Sequence, residues 1–148
     1  MTKIKSNTPA PSIGAAVSHA ARLLTLALAD AHKGLALAPA QYRILVELWQ
    51  EDGQTQHALV QKLDLEQSTV GTTLGRMERD GLIQRQPHLN DGRSQLINLT
   101  PHAKALQAPA TAAASQINND ALSDFSEREQ AQFFEFIDRI ICRFKAQP

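Results

Sequence analysis

Between Thr55 and Leu99 the chain carries two helix patterns joined by three residues, followed by two short strand patterns about a glycine turn. Few folds satisfy that order. Thr55 caps a helix through Leu63, Asp64-Leu65-Glu66 makes the turn, and a longer helix runs to about Asp80, where Gly81 halts it. Two helices joined so tightly form the core of a helix-turn-helix. Leu82 to Gln86 and Gln95 to Leu99 read as strands on either side of Pro87 to Ser94, with Asn90-Asp91-Gly92 as the turn signal. The expected fold is mainly α with a small β-hairpin wing.

The flanks add helices. Residues 1–11 hold Pro9 and Pro11 without periodicity and read as a frayed arm. From Ser12, an N-cap, to about His32 an apolar stripe runs through Ile13, Val17, Ala20, Leu24, Leu28 and Ala31, with Ala16, Leu23 and Ala27 widening it. Gly34 is the expected stop. Pro39 opens a second helix, whose inward face is Tyr42, Leu45, Leu48 and Trp49, and Asp52-Gly53 closes it. Beyond the wing, Thr100-Pro101 starts an alanine-rich helix that has to bend or restart at Pro109. The last helix begins on the capping box Ser126-Glu127-Arg128-Glu129 and runs to about Lys145. Phe133, Ile137, Ile140 and Phe144, flanked by Phe136 and Ile141, give it a seam of heptad type that needs a cover, most simply a second copy of the chain.

The 148 residues fit one core without disulfides, and the lone Cys142 suits a reducing compartment. Lys3 and Lys5 precede an apolar stretch from Ala20 to Ala29 that mimics a secretion signal. His19 and Arg22 interrupt it, so a cytoplasmic protein without a membrane span is expected. Fifteen basic and fifteen acidic residues balance, which leaves any phosphate-binding surface to local placement. No glycine-rich phosphate loop, nucleophile elbow or ligand cluster marks an enzyme or a cofactor site.

Leu37-Ala38-Pro39-Ala40-Gln41-Tyr42, Glu66-Gln67-Ser68-Thr69-Val70, Met77-Glu78-Arg79-Asp80-Gly81-Leu82-Ile83 with Arg85, and Asp91-Gly92-Arg93-Ser94 closing at Leu99-Thr100 together resemble the MarR (multiple antibiotic resistance regulator) family. The match covers Leu35 to Thr100. The resemblance implies an arm and dimerisation helix over residues 1–34, a winged helix-turn-helix over 35–100 and C-terminal dimerisation helices over 101–148. It implies a homodimeric repressor on a pseudo-palindromic double-stranded operator. Recognition helices enter successive major grooves and Arg93 reaches the minor groove, where negative potential attracts a guanidinium. By the same resemblance Asp91 orients Arg93 through a carboxylate–guanidinium pair. Ser68, Thr69, Thr72, Thr73 and Arg76 are the recognition-helix candidates for phosphate and base contacts, against a merely solvated face. Gly71 and Gly75 stand where family members often carry larger residues, and either open a close approach to DNA or mark relaxed specificity. Asp64 replaces a frequent glycine and tolerates left-handed backbone.

The family resemblance further implies a pocket for a small aromatic carboxylate or phenolic ligand between the dimer region and the winged domain. His19 and Arg22, three apart on the first helix, with Tyr42 and Arg43, are its candidates; solvated or ion-paired side chains are the bland alternative. His19, His32, His57, His88 and His102 show no metal-ligand pairing, so no metal is expected. Cys142 reads as a buried structural thiol, with redox response as an alternative. A winged-helix module that binds another protein is the rival reading.

Overall fold

The computed structural model describes residues 12–145; the frayed arm expected over 1–11 lies outside the described residues. The elements are α1 (Ile13–Ala31), a 3₁₀ turn (Lys33–Leu35), α2 (Pro39–Gln50), β1 (Gln54–Thr55), α3 (Gln56–Leu63) and α4 (Gln67–Arg79). They continue as β2 (Ile83–Pro87), β3 (Gln95–Leu99), α5 (Pro101–Ala121) and α6 (Glu127–Lys145). The fold is a winged helix-turn-helix flanked by long helices, mainly α with a small antiparallel sheet.

Local chemistry sets the boundaries. The Ser12 hydroxyl accepts the Ala15 N–H at 3.3 Å and Thr55 accepts that of Ala58 at 3.1 Å, so both expected caps form. The capping box also forms, with Ser126 N–H donating to Glu129 Oε2 at 2.8 Å and Glu129 N–H to Ser126 Oγ at 3.2 Å. Three expectations are corrected. Gly34 does not stop α1: the helix ends at Ala31, and the left-handed residue that redirects the chain is Ala36, at φ 52°. Of the two outcomes expected at Pro109, the restart does not occur: α5 runs as one helix to Ala121 with the proline inside it. Finally, His19 and Arg22 do not keep α1 below the composition of a membrane span, since a window of Ile13–Ala31 has mean hydropathy 1.2. In this fold α1 packs along α5.

The sheet holds a strand that sequence reasoning missed. Its order is β1-β3-β2, with Gln54 paired to Ile97 on one edge and Arg85 to Ile97 on the other. Two residues are too short for a periodicity, and β1 is held by side chains. The Gln54 amide donates to the Glu47 and Glu51 carbonyls at the end of α2, and Asp52 Oδ1 accepts the Leu99 N–H at 2.8 Å. These bonds fix the wing's root to α2.

Ile44, Leu45 and Leu48 of α2, Leu59 of α3, Val70, Leu74 and Met77 of α4, and Ile83, Ile97 and Leu99 of the sheet form the core. Ala103, Leu106 and Ala110 of α5 join it. His32 is buried beside them; its Nε2 lies 2.8 Å from the Ala110 carbonyl and must be the protonated nitrogen, since a carbonyl only accepts. Thr100 is the joint between wing and α5. Its hydroxyl donates to the Gly81 and Leu82 carbonyls and accepts the Ala103 N–H that starts the helix. Thr100→Ala is therefore expected to destabilise the fold by about 2 kcal/mol, through the lost cap and the lost bond to the Gly81 carbonyl, with Thr100→Ser close to wild type. Chemical denaturation at fixed protein concentration checks this.

Candidate nucleic-acid interface

The recognition helix α4 starts where Asp64 takes the left-handed conformation, φ 50°, that turns the chain between α3 and α4. Its 3.6-residue period then sorts the side chains. Val70, Thr73, Leu74 and Met77 face the core, while Ser68, Thr69, Thr72, Gly75 and Arg76 are exposed. Thr73 is thus corrected as a contact residue, since it is buried and its hydroxyl donates to the Thr69 carbonyl at 2.9 Å. Ser68, Thr69, Thr72 and Arg76 share the exposed side. At the far end of α4 the Gln41 amide donates to Asp80 Oδ2 at 2.9 Å, and this bond, with Arg79, holds the Asp80 carboxyl below its ordinary value. Because Gln41 Oε1 also accepts the Ala38 N–H, one side chain ties the start of α2 to the end of α4.

The wing tip differs from the expected ion pair. Asp91 does not reach the Arg93 guanidinium; its Oδ1 accepts the Arg93 backbone N–H at 3.0 Å and its Oδ2 the Ser94 hydroxyl at 3.1 Å. The carboxylate folds the turn locally, as short acidic side chains do, and the same two bonds lower its pKa. Consequently the Arg93 side chain is free: among the described residues neither Arg93 nor Arg76 forms an ion pair. Arg79 pairs with Asp80, and Arg85 lies 3.6 Å from Glu78.

A cleft of about 340 Å³ lies between the wing and the starts of α3 and α4, bordered by Gln56, His57, Gln67, Arg85, Arg93 and Gln95. It brings Arg93 beside the recognition helix. Gln56, His57 and Gln67 were missed as site residues, because polar side chains at helix starts carry no sequence signal until the two helices are brought together.

The four ligand candidates are not gathered in this way. His19, Arg22 and Arg43 are exposed, whereas Tyr42 is half-buried in an aromatic row, 4.6 Å from the His32 ring and 5.9 Å from that of Trp49. Burial raises the Tyr42 phenol above its ordinary pKa, partly offset by the Thr111 hydroxyl. A larger apolar cleft of about 570 Å³ lies between α1, α5 and α6, lined by Leu23, Leu24, Ile117, Leu122, Phe125 and Phe133 among others, and none of the four lines it. Cys142 is exposed rather than buried, since α6 buries no residue against its own chain.

An exposed recognition helix preceded by a tight turn and followed by a wing with a free arginine defines the winged helix-turn-helix class of nucleic-acid-binding domains. Comparison with known proteins narrows this. The sequence model of the MarR family matches residues 37–95. The transcriptional regulator HosA of Escherichia coli O127:H6 is 25% identical over 105 residues, 71% of this chain and 78% of that protein. A probable transcriptional regulator from Pseudomonas aeruginosa superposes with a TM-score of 0.81 at 29% identity, over 87% of this chain and 96% of that one. A putative MarR family regulator from Listeria monocytogenes, crystallised with 26mer DNA, shares the fold at TM-score 0.83 and 23% identity, over 90% and 89% of the two chains. Residues 37–95 thus match the MarR family, and the proteins that the chain resembles over most of its length are named as transcriptional regulators.

Proposed function

We propose that the protein represses transcription as a homodimer on a pseudo-palindromic DNA site. The observation that carries this is an Arg93 without an ion-pair partner on the wing, sharing one cleft with Gln67 at the start of α4, the helix whose exposed side carries Ser68, Thr69, Thr72 and Arg76. Two cationic side chains without internal partners, Arg76 and Arg93, supply the local positive charge that a net charge of zero withholds overall. The Listeria protein of the same fold, crystallised with 26mer DNA, supports the same partner here. Ser68, Thr69, Thr72 and Arg76 enter the major groove and Arg93 the flanking minor groove. The α1 and α6 faces provide the dimer contact, which leaves residues 35–100 as the reading head between dimerisation segments 1–34 and 101–148.

An aromatic carboxylate or phenol modulates the affinity, with Arg22 and His19 on α1 as the anion-binding pair and Tyr42 and Arg43 on α2 as the further candidates; the exposure of His19, Arg22 and Arg43 supports access for such a ligand. The test is a titration against the DNA upstream of the protein's own coding region, at two salt concentrations, with and without benzoate. Tight binding of one dimer per site that falls steeply with salt and weakens with benzoate is expected. Affinity no better than for random DNA would overturn the DNA reading in favour of a protein-binding module, and binding indifferent to benzoate would remove the ligand alone.

A further inference from the structure

The two glycines of α4 are not equivalent. A Cβ at Gly75 meets nothing within 4 Å, whereas one at Gly71 falls 3.0 Å from Gln56 Nε2. The space above Gly71 is already filled, by a side chain from the neighbouring helix. Gln56 is the first residue of α3, half-exposed, and it borders the wing cleft together with Gln67, Arg85 and Arg93. Its amide nitrogen donates to the Gln67 carbonyl at 3.4 Å, the long limit of a hydrogen bond. That leaves Oε1 and the second N–H free for an outside partner. The α4 backbone beneath also restricts the amide, so less side-chain freedom is lost when it engages one.

We propose that Gln56 reads a base edge in the operator, supplying from α3 the side chain that α4 lacks at Gly71. A glutamine amide carries one donor and one acceptor side by side, the pattern that N7 and N6 of adenine complete in the major groove. Gly71 is then a seat for Gln56 rather than a clearance for DNA. This inference rests on the DNA-binding reading above.

A double-mutant cycle tests it. Wild type, Gln56→Ala, Gly71→Ala and the double variant are titrated on the operator and on a panel of its single-base-pair variants, with Trp49 fluorescence as a check of folding. The Gly71→Ala methyl meets only the end of a flexible side chain, so the helix accommodates it while the amide is displaced. Gln56→Ala is expected to weaken binding about 10-fold and to lose discrimination at one base pair per half-site. Gly71→Ala should lose it at the same base pair, and the double variant should bind no worse than either single one. The inference is overturned by a uniform loss across the panel, which marks a phosphate contact, or by additive effects, which mark clearance at Gly71. A wild-type protein without preference for any sequence would overturn the DNA-binding reading itself.

Discussion

Arg93→Ala is expected to weaken operator binding at least 30-fold while leaving the fold intact. The guanidinium forms no ion pair, so its removal costs the free protein nothing that the wing depends on. The turn is made by Asp91 through the Arg93 backbone N–H and the Ser94 hydroxyl, and both groups survive the substitution. In the complex each wing loses about 1 kcal/mol or more of contact, and a dimer loses it twice, hence roughly 30-fold. The dependence of log affinity on log salt should flatten by roughly two, one cation per wing. Arg93→Lys separates charge from shape: it should keep the salt slope yet bind more weakly, since a compact, strongly hydrated ammonium enters a narrow groove less readily than a guanidinium. Unchanged affinity and slope for Arg93→Ala would remove the wing from the interface.

Elements marked by capping and turn chemistry were legible in the sequence. Ser12, Thr55, Thr100 and the Ser126–Glu129 box each carry their signal within four residues, and the helices they start lie where that signal puts them. Asp64 was legible for the same reason, as a short acidic residue that accepts left-handed backbone. What escaped depends on distant parts of the chain. Ile44 and His32 belong to the core because α5 and the sheet close over them, β1 exists because β3 pairs with it, and the seat of Gln56 exists because α3 lies across α4. Thr73 and the Asp91–Arg93 pair failed more instructively. In each, a residue type suited to DNA contact found a nearer backbone partner, and local hydrogen bonds of this kind form without any cost of ordering a second chain.

Ion pairs at the ends of the long helices connect the reading head to the rest. Lys104 on α5 lies 3.9 Å from Asp52 at the wing's root, and Lys145, the last residue of α6, lies 2.8 Å from Asp64 in the helix-turn-helix turn. Asp64 raises the Lys145 pKa by accepting its hydrogen bond. Both pairs are largely solvent-exposed, so they add little stability. Their value is positional, since a shift of either long helix moves a residue that borders the recognition helix or the wing.

Ile140→Asp is expected to abolish the dimer and operator binding together. Neither α1 nor α6 buries a residue within its own chain, and Leu23, Leu24, Phe133, Phe136, Ile141 and Phe144 stay exposed, Phe144 at 70%. An apolar surface of that extent on adjoining helices supports the proposed dimer contact there. Two-fold symmetry places each substitution in the contact twice. Burying two unpaired carboxylates costs at least about 2 kcal/mol each, which raises the dimer dissociation constant by roughly 10³. Sedimentation equilibrium would show monomers at micromolar concentration. The winged domain should outlast the dimer, because its core lies between Leu37 and Ala110, and Trp49, hydrogen-bonded to the Ala103 carbonyl inside it, reports on that directly. A variant with native Trp49 emission that is monomeric and does not hold the operator confirms that two reading heads must act together. An Ile140→Asp protein that remains a dimer would place the interface elsewhere on the helices.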